Sequence, residues 1–146
     1  MGQVSRWLGS VYIDANVVIY TIEKLRPFLD VHRFVFERAD KGEIKLVTSQ
    51  ISLNECLAKP VADGNVALID AYLTFVADRP SLAVVPTSRA ICIEAAKLRA
   101  AQNLKLPDAL HVATALQSGC AVFLGNDRRI KSVPGLTVEY WDDLEV

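Results

Sequence analysis

The 146-residue sequence has few cysteines, almost no net charge and no long apolar run, and each shortage excludes a class of protein. The three cysteines, Cys56, Cys92 and Cys120, lack the spacing of a metal site and each lies in an apolar stretch. We therefore expect buried thiols in a reducing compartment. A formal net charge of -1 argues against a broad basic face for duplex nucleic acid but is compatible with a local basic patch.

Targeting and nucleotide-binding signatures are also missing. The first ten residues contain no apolar core of the length that a secretory signal needs. The longest apolar-leaning run, ALHVATALQSGCAVFLG, is interrupted by His111, Gln117 and Gly119, which argues against a membrane span. No Gly-rich phosphate loop or dinucleotide fingerprint is present, so nucleotide hydrolysis and hydride transfer are not expected. These observations predict a cytoplasmic protein without a membrane partner.

Hydrophobic residues make up 51% of the chain and charged residues 23%, which is typical of a globular protein. The length predicts one domain over residues 1–146. Strands are predicted at SVYID, EIKLVTS, SLAVVP, CAVFLG and LTVEYW. Helices are predicted at VVIYTIEKL, LDVHRFVFERADKG, QISLNECLAK, NVALIDAYLTFVADR, SRAICIEAAKLRAAQN and PDALHVATALQSG. The alternation of apolar strands with helices predicts an α/β fold with a parallel sheet covered on both faces.

Four of the predicted helices carry local signals. Pro60 is expected to stop QISLNECLAK. The spacing of Val66, Ile69, Leu73 and Val76 predicts the apolar face of the next helix, which suits core packing and a dimer face equally well. A second apolar face is predicted from the residues Ile91, Ala95 and Leu98. Pro107 and Gly119 mark the start and end of the last helix.

Four acidic residues stand out against this pattern. Asp14 ends the first predicted strand and Asp127 follows the fourth. In parallel open sheets, functional groups gather beyond the carboxyl ends of the strands. Glu55 and Asp108 lie within otherwise apolar helical segments. The sequence pattern therefore places two of the four acids at one edge of the sheet, and spacing alone does not show whether all four converge.

Convergence of the four acids would carry a clear chemical meaning. Two carboxylates about 4 Å apart repel by roughly 4 kcal/mol at an effective dielectric constant of about 20. Several such pairs would consume much of a folding free energy of about 5–15 kcal/mol, so protons or cations must neutralise the cluster. Oxygen ligands suit Mg²⁺ or Mn²⁺, which catalyse phosphoryl transfer.

Taken in order, the four segments resemble the PIN-domain family over essentially the whole chain. They are YIDANVVIY with Asp14, SQISLNECLAKP with Glu55, LKLPDALHVATALQSGC with Asp108 and VFLGNDRRI with Asp127. The resemblance implies an α/β/α sandwich around a parallel, roughly five-stranded sheet. It also implies an Mg²⁺- or Mn²⁺-dependent endoribonuclease whose catalytic and metal-binding residues are these four acids, with Asn16 orienting ligands or water.

The compact chain is similar to the VapC-type toxins of type II toxin–antitoxin modules. This similarity implies a homodimer that acts on tRNA or rRNA and is inhibited by a small antitoxin. One position departs from the family pattern. Where the family often has Thr or Ser two residues before its last acid, this chain has Gly125, so a hydroxyl is missing unless Asn126 or water replaces it.

Each acid also has a structural interpretation. Asp14 suits a helix cap, Glu55 a solvated helix position, Asp108 the positive end of a helix and Asp127 an Asx-turn. His111 lies three residues after Asp108 and could share its helix face, but a packed or capped role is the commoner one, and we do not predict a catalytic role for it.

Basic residues follow the last acid directly. Arg128, Arg129 and Lys131 fit a solvated loop, which is the usual meaning of a run of charges, or a phosphate-binding rim. Lys105, near Asp108, has the same two interpretations. Arg128, Arg129 and Lys105 are the predicted substrate-binding residues.

Two other functions compete with the nuclease. A non-catalytic PIN-like module that binds RNA or protein is favoured only by the glycine at position 125. A phosphatase with a strand-end Asp nucleophile would carry a second Asp where this chain has Asn16, and no convincing Lys partner is found.

Overall fold

A computed structural model describes residues 2, 4–24 and 29–145. Within them a five-stranded sheet has the order β3-β2-β1-β4-β5, and every pairing is parallel. The strands are β1 (Gly9–Ile13), β2 (Ile44–Ser49), β3 (Leu82–Val85), β4 (Val122–Gly125) and β5 (Thr137–Tyr140). The helices are α1 (Ala15–Glu23), α2 (Leu29–Asp40), α3 (Gln50–Asp63), α4 (Val66–Phe75), α5 (Arg89–Gln102) and α6 (Leu106–Gln117). The predicted α/β class with a five-stranded parallel sheet is confirmed.

Strand order reverses beside the central strand. The chain runs outward from β1 through β2 to β3 and then returns to place β4 on the other side of β1. The backbone N–H of Asp14 still donates to the carbonyl of Leu124, at 3.1 Å, just beyond the last residue of β1. Beyond this hydrogen bond the two strands separate: β1 continues into α1, and β4 continues into a loop. This point of divergence is where an open parallel sheet forms its crevice.

The sheet separates two apolar layers, because successive side chains of a strand point to opposite faces. In β1, Val11 and Ile13 pack with α1–α4, whereas Tyr12 packs with α5 and α6. The same alternation in β4 puts Leu124 on the first face and Phe123 on the second. Both faces are covered, as the apolar strands predicted.

Four of the described helices begin at a side-chain cap. The side chains of Asp14, Ser49, Asn65 and Ser88 accept hydrogen bonds from backbone N–H groups in the first turns of α1, α3, α4 and α5. Helix α6 begins at Leu106, one residue earlier than predicted, so Pro107 takes its second position. Two of these caps, on α1 and α3, follow strands directly, so each of these helices starts at the carboxyl edge of the sheet.

The predicted stop at Pro60 is wrong, because α3 continues to Asp63. A proline inside a helix removes one hydrogen bond and typically costs about 3 kcal/mol. Here the ring is buried, and the carbonyl of Pro60 accepts from the N–H groups of Gly64 and Asn65. Burial of the ring and the glycine cap at the helix end offset the lost bond. The helix ends at Asp63, and Gly64 caps it with a φ of 65°.

The predicted apolar face of α4 is only partly right, because Val76 is buried in the core and Ile69 is half-buried but the other two residues are exposed. Val66 and Leu73 are 67% and 47% exposed, and the helix ends at Phe75, before the predicted end at Arg79. Tyr72 is fully buried, and Leu68 packs against the same apolar layer. This helix is apolar on more than one side, so two groups of apolar residues have helical spacing. Packing against the sheet buries the group that contains Leu68 and Tyr72.

Two remaining expectations concern cysteine and membranes. Cys56 and Cys120 are buried as predicted, but Cys92 is exposed because it follows the inward-facing Ile91 on α5 and points away from the sheet. The predicted end of the first helix, Leu25, lies outside the described residues. Among the helices that the structure describes, none is long and apolar enough to cross a membrane.

Candidate functional site

A polar pocket of about 230 Å³ opens where β1 and β4 diverge. Its wall includes all four predicted acids: Asp14 after β1, Glu55 on α3, Asp108 in the first turn of α6 and Asp127 after β4. The remaining lining residues are Ala15, Asn16, His111, Arg129 and Ile130. Four separate elements therefore bring four carboxyl groups to one concave site.

Asp14 is the most buried of the four acids, with 5% of its surface exposed. Its side chain accepts from the backbone N–H of Val17 at 3.2 Å, so it also caps α1. Burial raises the pKa of Asp14 to about 6, opposed first by nearby His111 and then by the N–H of Val17, while Glu55 adds to the rise. Asp14 thus serves as a cap and still presents a carboxyl group to the pocket.

Gly125 lies directly against this carboxyl group. A β-carbon at position 125 would lie 2.5 Å from Oδ2 of Asp14, which no real contact allows, and 3.1 Å from a ring carbon of Phe123. The side chain of Asp14 therefore fills the space where the family pattern often has Ser or Thr. The position of the Asp14 carboxyl group therefore explains why this chain has glycine at position 125.

Glu55 contacts His111, the residue for which no catalytic role was predicted. Its Oε1 lies within hydrogen-bonding reach of Nε2 of His111, whose side chain is only 4% exposed. The other ring nitrogen, Nδ1, lies 2.6 Å from the hydroxyl of Tyr12, and that hydroxyl donates to Oγ of Ser49 at 2.9 Å. The spacing of His111 from Asp108 hinted at a shared face, but its contact with a residue 56 positions earlier carried no local sequence signal.

Asp108 and Asp127 have opposite electrostatic surroundings. Partial burial, followed by the charge of Asp127, raises the pKa of Asp108. The Arg129 guanidinium lowers the pKa of Asp127, because its Nη2 lies 2.6 Å from Oδ2 and its Nε 3.0 Å from Oδ1. The two neighbouring carboxyl groups thus share one cationic side chain at the rim of the pocket.

Two of the three predicted substrate-binding residues lie at or beside the pocket, and the third does not. Arg129 lines the pocket, and Lys105 lines an adjoining cavity of about 340 Å³ together with Arg129 and Asp108. Arg128 lies elsewhere: its guanidinium forms a two-pronged ion pair with Asp143, at 2.6 and 2.7 Å, and lies 4.3 Å from the ring centroid of Tyr140.

Of the two predicted asparagines, one lines the pocket and the other does not. Asn16 is exposed and lines the pocket, and its backbone N–H contributes a hydrogen bond that stabilises the charged form of Asp14. Asn126 does not line it. Its amide donates to the hydroxyl of Tyr20 and accepts from the N–H of Asp142, both at 3.2 Å. Asn126 therefore holds the loop after β4 against α1 and the C-terminal segment.

The donor set suits a hard cation, since carboxylate oxygens are the preferred ligands of Mg²⁺ and Mn²⁺. In the part of the chain that the structure describes, no group of three or more His, Cys, Asp or Glu side chains is arranged to hold a metal ion. Two of the four carboxyl groups are already engaged, Asp127 by Arg129 and Glu55 by His111. Metal binding by all four acids would therefore require the side chain of Arg129 to release Asp127.

Comparison with known proteins gives one family match. The profile of the PIN domain matches residues 11–136, which include all four acids. No curated protein sequence matches the chain.

Solved structures with similar folds include two VapBC complexes and one toxin–antitoxin complex. VapBC2 from Rickettsia felis, bound to a DNA fragment from its promoter, has a TM-score of 0.69 at 18% identity, over 91% of this chain and 99% of that one. DNA-bound VapBC from Salmonella typhimurium has a TM-score of 0.66 at 20% identity, over 92% and 99%. A toxin–antitoxin complex from Klebsiella pneumoniae has a TM-score of 0.63 at 18% identity, over 87% and 95%. At these identities the likeness is one of fold.

Proposed function

The chain belongs to the PIN domain family, and from that premise we propose that it is a divalent-metal-dependent endoribonuclease. One observation carries the proposal: four elements place Asp14, Glu55, Asp108 and Asp127 around one pocket at the edge of the sheet where strand order reverses. A cluster of acids with this much mutual repulsion is suited to a cation. We also propose that residues 1–146 act as one domain.

In this proposal the four acids hold one or two Mg²⁺ or Mn²⁺ ions. When bound, such an ion supplies Lewis-acid stabilisation to a phosphodiester that is being hydrolysed. Asp14, fixed as the cap of α1, gives the site its rigid ligand. Arg129 and Lys105, at the rim and beside it, bind backbone phosphate, and Arg129 is free to do so once the acid it pairs with holds metal. Asn16, which also lines the pocket, orients ligands or water.

We further propose a biological setting, that of the toxin of a type II toxin–antitoxin module. The complexes named above include VapBC assemblies and a toxin–antitoxin complex, and this chain shares their fold across most of its length. A small antitoxin is then the expected protein partner, tRNA or rRNA the expected substrate, a homodimer the expected assembly and the cytoplasm the expected location.

RNA cleavage by purified protein tests the enzymatic proposal. The wild type should cleave RNA when Mg²⁺ or Mn²⁺ is present and should lose this activity in a chelator. Asp14→Asn keeps a residue able to cap α1 but removes the charge, so it should be folded and inactive. Equal cleavage by both proteins would contradict the assignment.

Conditional expression in a bacterium tests the toxin proposal separately. Growth should stop on induction of the wild type but not of Asp14→Asn, and mapping of new RNA 5′ ends should identify the cleaved RNA and the position of the cut. Normal growth on induction of an active nuclease would count against the toxin role while leaving the reaction intact.

A non-catalytic RNA- or protein-binding module is the second candidate. Its support is the engagement of Asp127 by Arg129 and of Glu55 by His111, which leaves no ready metal cluster among the described residues. Titration calorimetry with Mn²⁺ separates the two functions. A module of this kind would bind RNA or its partner while showing no Mn²⁺ binding that Asp14→Asn removes.

A further inference from the structure

We propose that His111 is a positioning residue that fixes the carboxyl group of Glu55 at the pocket. The inference rests on the proposed function, since it concerns a proposed metal ligand, and it goes further by assigning a role to a buried histidine outside the acidic set. It comes from a hydrogen-bond path that starts at Ser49, the cap of α3, passes through Tyr12 and His111, and ends at Glu55 on α3.

Glu55 needs an anchor because of its place in the fold. Its side chain is 39% exposed, and glutamate has several rotatable bonds that an exposed position leaves free. Asp14, by contrast, is held by burial and by its cap to Val17. A carboxylate can only accept hydrogen bonds, so a donor from a rigid element must hold Glu55 if the carboxyl group is to stay at the pocket.

His111 provides such a donor. Its ring is buried on α6 and packs edge-on against the ring of Tyr12, with 5.8 Å between centroids. Tyr12 is itself stacked on Phe123, at 5.1 Å, so the central strands β1 and β4 hold both rings. With the ring fixed in this way, Nε2 has one direction available, toward Oε1 of Glu55, and Nε2–H donates to it.

The far end of the path explains the orientation of the imidazole. Tyr12 contacts Nδ1 of His111 and donates to Ser49, and Ser49 accepts from the N–H of Ser52 as the cap of α3. The path thus links the start of α3 to its second turn through β1 and α6. A displacement of α3 relative to α6 would break a contact at one end, so the network also fixes the distance between the two helices that carry Glu55 and Asp108.

Substitutions at position 111 separate donation from packing. His111→Gln places an amide N–H where Nε2 lies, whereas His111→Leu keeps an apolar body and removes the donor. Thr114→Val is the matched control, because Thr114 is buried on the same helix and its hydroxyl donates to the carbonyl of Leu110 within that helix. Removing a partner that orients a metal ligand typically costs about 10–100-fold in metal affinity.

Mn²⁺ calorimetry on the full chain gives the first readout, with thermal unfolding measured alongside. His111→Leu should lose Mn²⁺ affinity by about 10–100-fold, while His111→Gln and Thr114→Val should stay near the wild-type value. Wild-type affinity in His111→Leu would overturn the proposal. Equal losses in the Leu and Gln variants would also overturn it, because packing and not donation would then explain the effect. If His111→Leu does not fold, His111→Asn replaces it, since asparagine is too short to reach Glu55.

Crystal structures without metal give a second readout that does not depend on the proposed function. Glu55 should occupy the pocket wall in the wild type and in His111→Gln, and should leave it in His111→Leu. An unmoved Glu55 in His111→Leu would overturn the positioning role even if the protein binds metal and cleaves RNA. Conversely, a wild type that neither binds Mn²⁺ nor cleaves RNA would refute the proposed function, and the crystal structures alone would then decide the role of His111.

Discussion

Individual side chains in the pocket offset negative charge in three different ways. Asp14 is buried, which favours its protonated form. Asp127 is paired with the guanidinium of Arg129, and Glu55 contacts a buried histidine. Burial raises the pKa of Asp14 and the guanidinium of Arg129 lowers the pKa of Asp127, so these two acids contribute to stability over different pH ranges. These differences lead to predictions for single residues.

In the presence of a chelator, ionisation of Asp14 should lower the free energy of unfolding as pH rises. Its folded-state pKa, about 6, lies above the unfolded value, so its contribution is fully present at pH below about 4 and is lost as pH rises through about 6. The loss corresponds to about 3 kcal/mol. Urea unfolding of wild type and Asp14→Asn in a chelator, at pH 4.5 and 7.5, measures it. The variant should gain stability relative to wild type at the higher pH, and parallel pH dependence of the two proteins would contradict the prediction.

Gly125→Ala should destabilise the protein by about 1–3 kcal/mol, as overpacking typically does. The added carbon would meet Oδ2 of Asp14, while Oδ1 of the same carboxyl group accepts the capping hydrogen bond of α1 and so restrains the group. A double-mutant cycle with Asp14→Ala isolates this contact, because the clash with the carboxyl group disappears in that background. The same cost of Gly125→Ala in both backgrounds would show that contact with Phe123, and not with Asp14, limits the position.

Arg129→Ala should change two affinities in opposite directions. Removing the guanidinium frees Asp127, so Mn²⁺ should bind more tightly, while loss of a phosphate contact should raise KM for RNA. Arg128→Ala is the comparison, and its effects should be smaller because Arg128 pairs with Asp143 outside the pocket. Weaker Mn²⁺ binding in Arg129→Ala would show that Arg129 supports the cation site and does not compete for it.

The identities of these side chains were readable from the sequence, but their contacts were not. Motif order selected the four acids, and the structure brings them to one pocket. The contacts of His111 with Glu55 and of Gly125 with Asp14 join residues far apart in the chain. No local pattern encodes them, since they depend on how α3, α6 and β4 meet.

Helices and strands followed the sequence where a single signal dominated. The apolar segment of β1, buried on both faces of the sheet, and the apolar face of Ile91, Ala95 and Leu98 on α5 correspond to the observed burial. Pro60 and part of the α4 face were mispredicted because two effects competed at each. At Pro60, burial and a glycine cap outweighed the lost hydrogen bond. On α4, two apolar sets had helical spacing, and only contacts with the sheet decided between them.

Neighbouring residues on α4 test the corrected face. Tyr72→Ala should destabilise the protein by about 3–5 kcal/mol, as removal of a buried aromatic ring does, because Tyr72 is fully buried and its hydroxyl donates to Glu23 at 2.5 Å. Leu73→Ala, at a half-exposed position, should cost far less. Urea unfolding of both variants at low protein concentration provides the comparison. A cost for Leu73→Ala equal to that for Tyr72→Ala would restore the face that the sequence pattern favoured.

The molecule as a whole is organised by its strand order. Alternating segments predicted five strands in a parallel sheet covered on both faces, whereas the sandwich arrangement came from the family resemblance. The order β3-β2-β1-β4-β5 then explains why acids from β1 and β4 meet, since the two strands are neighbours at the reversal. The single domain over residues 1–146, the homodimer and the antitoxin partner stay predictions.

Mn²⁺ calorimetry across the four acids most directly tests whether they form one cation site. Asp14→Asn, Glu55→Gln, Asp108→Asn and Asp127→Asn should each weaken Mn²⁺ binding strongly, and Asp63→Asn, on the exposed end of α3, should leave it unchanged. Wild-type affinity in all four pocket variants, or an equal loss in Asp63→Asn, would contradict a shared site at the carboxyl edge of the sheet.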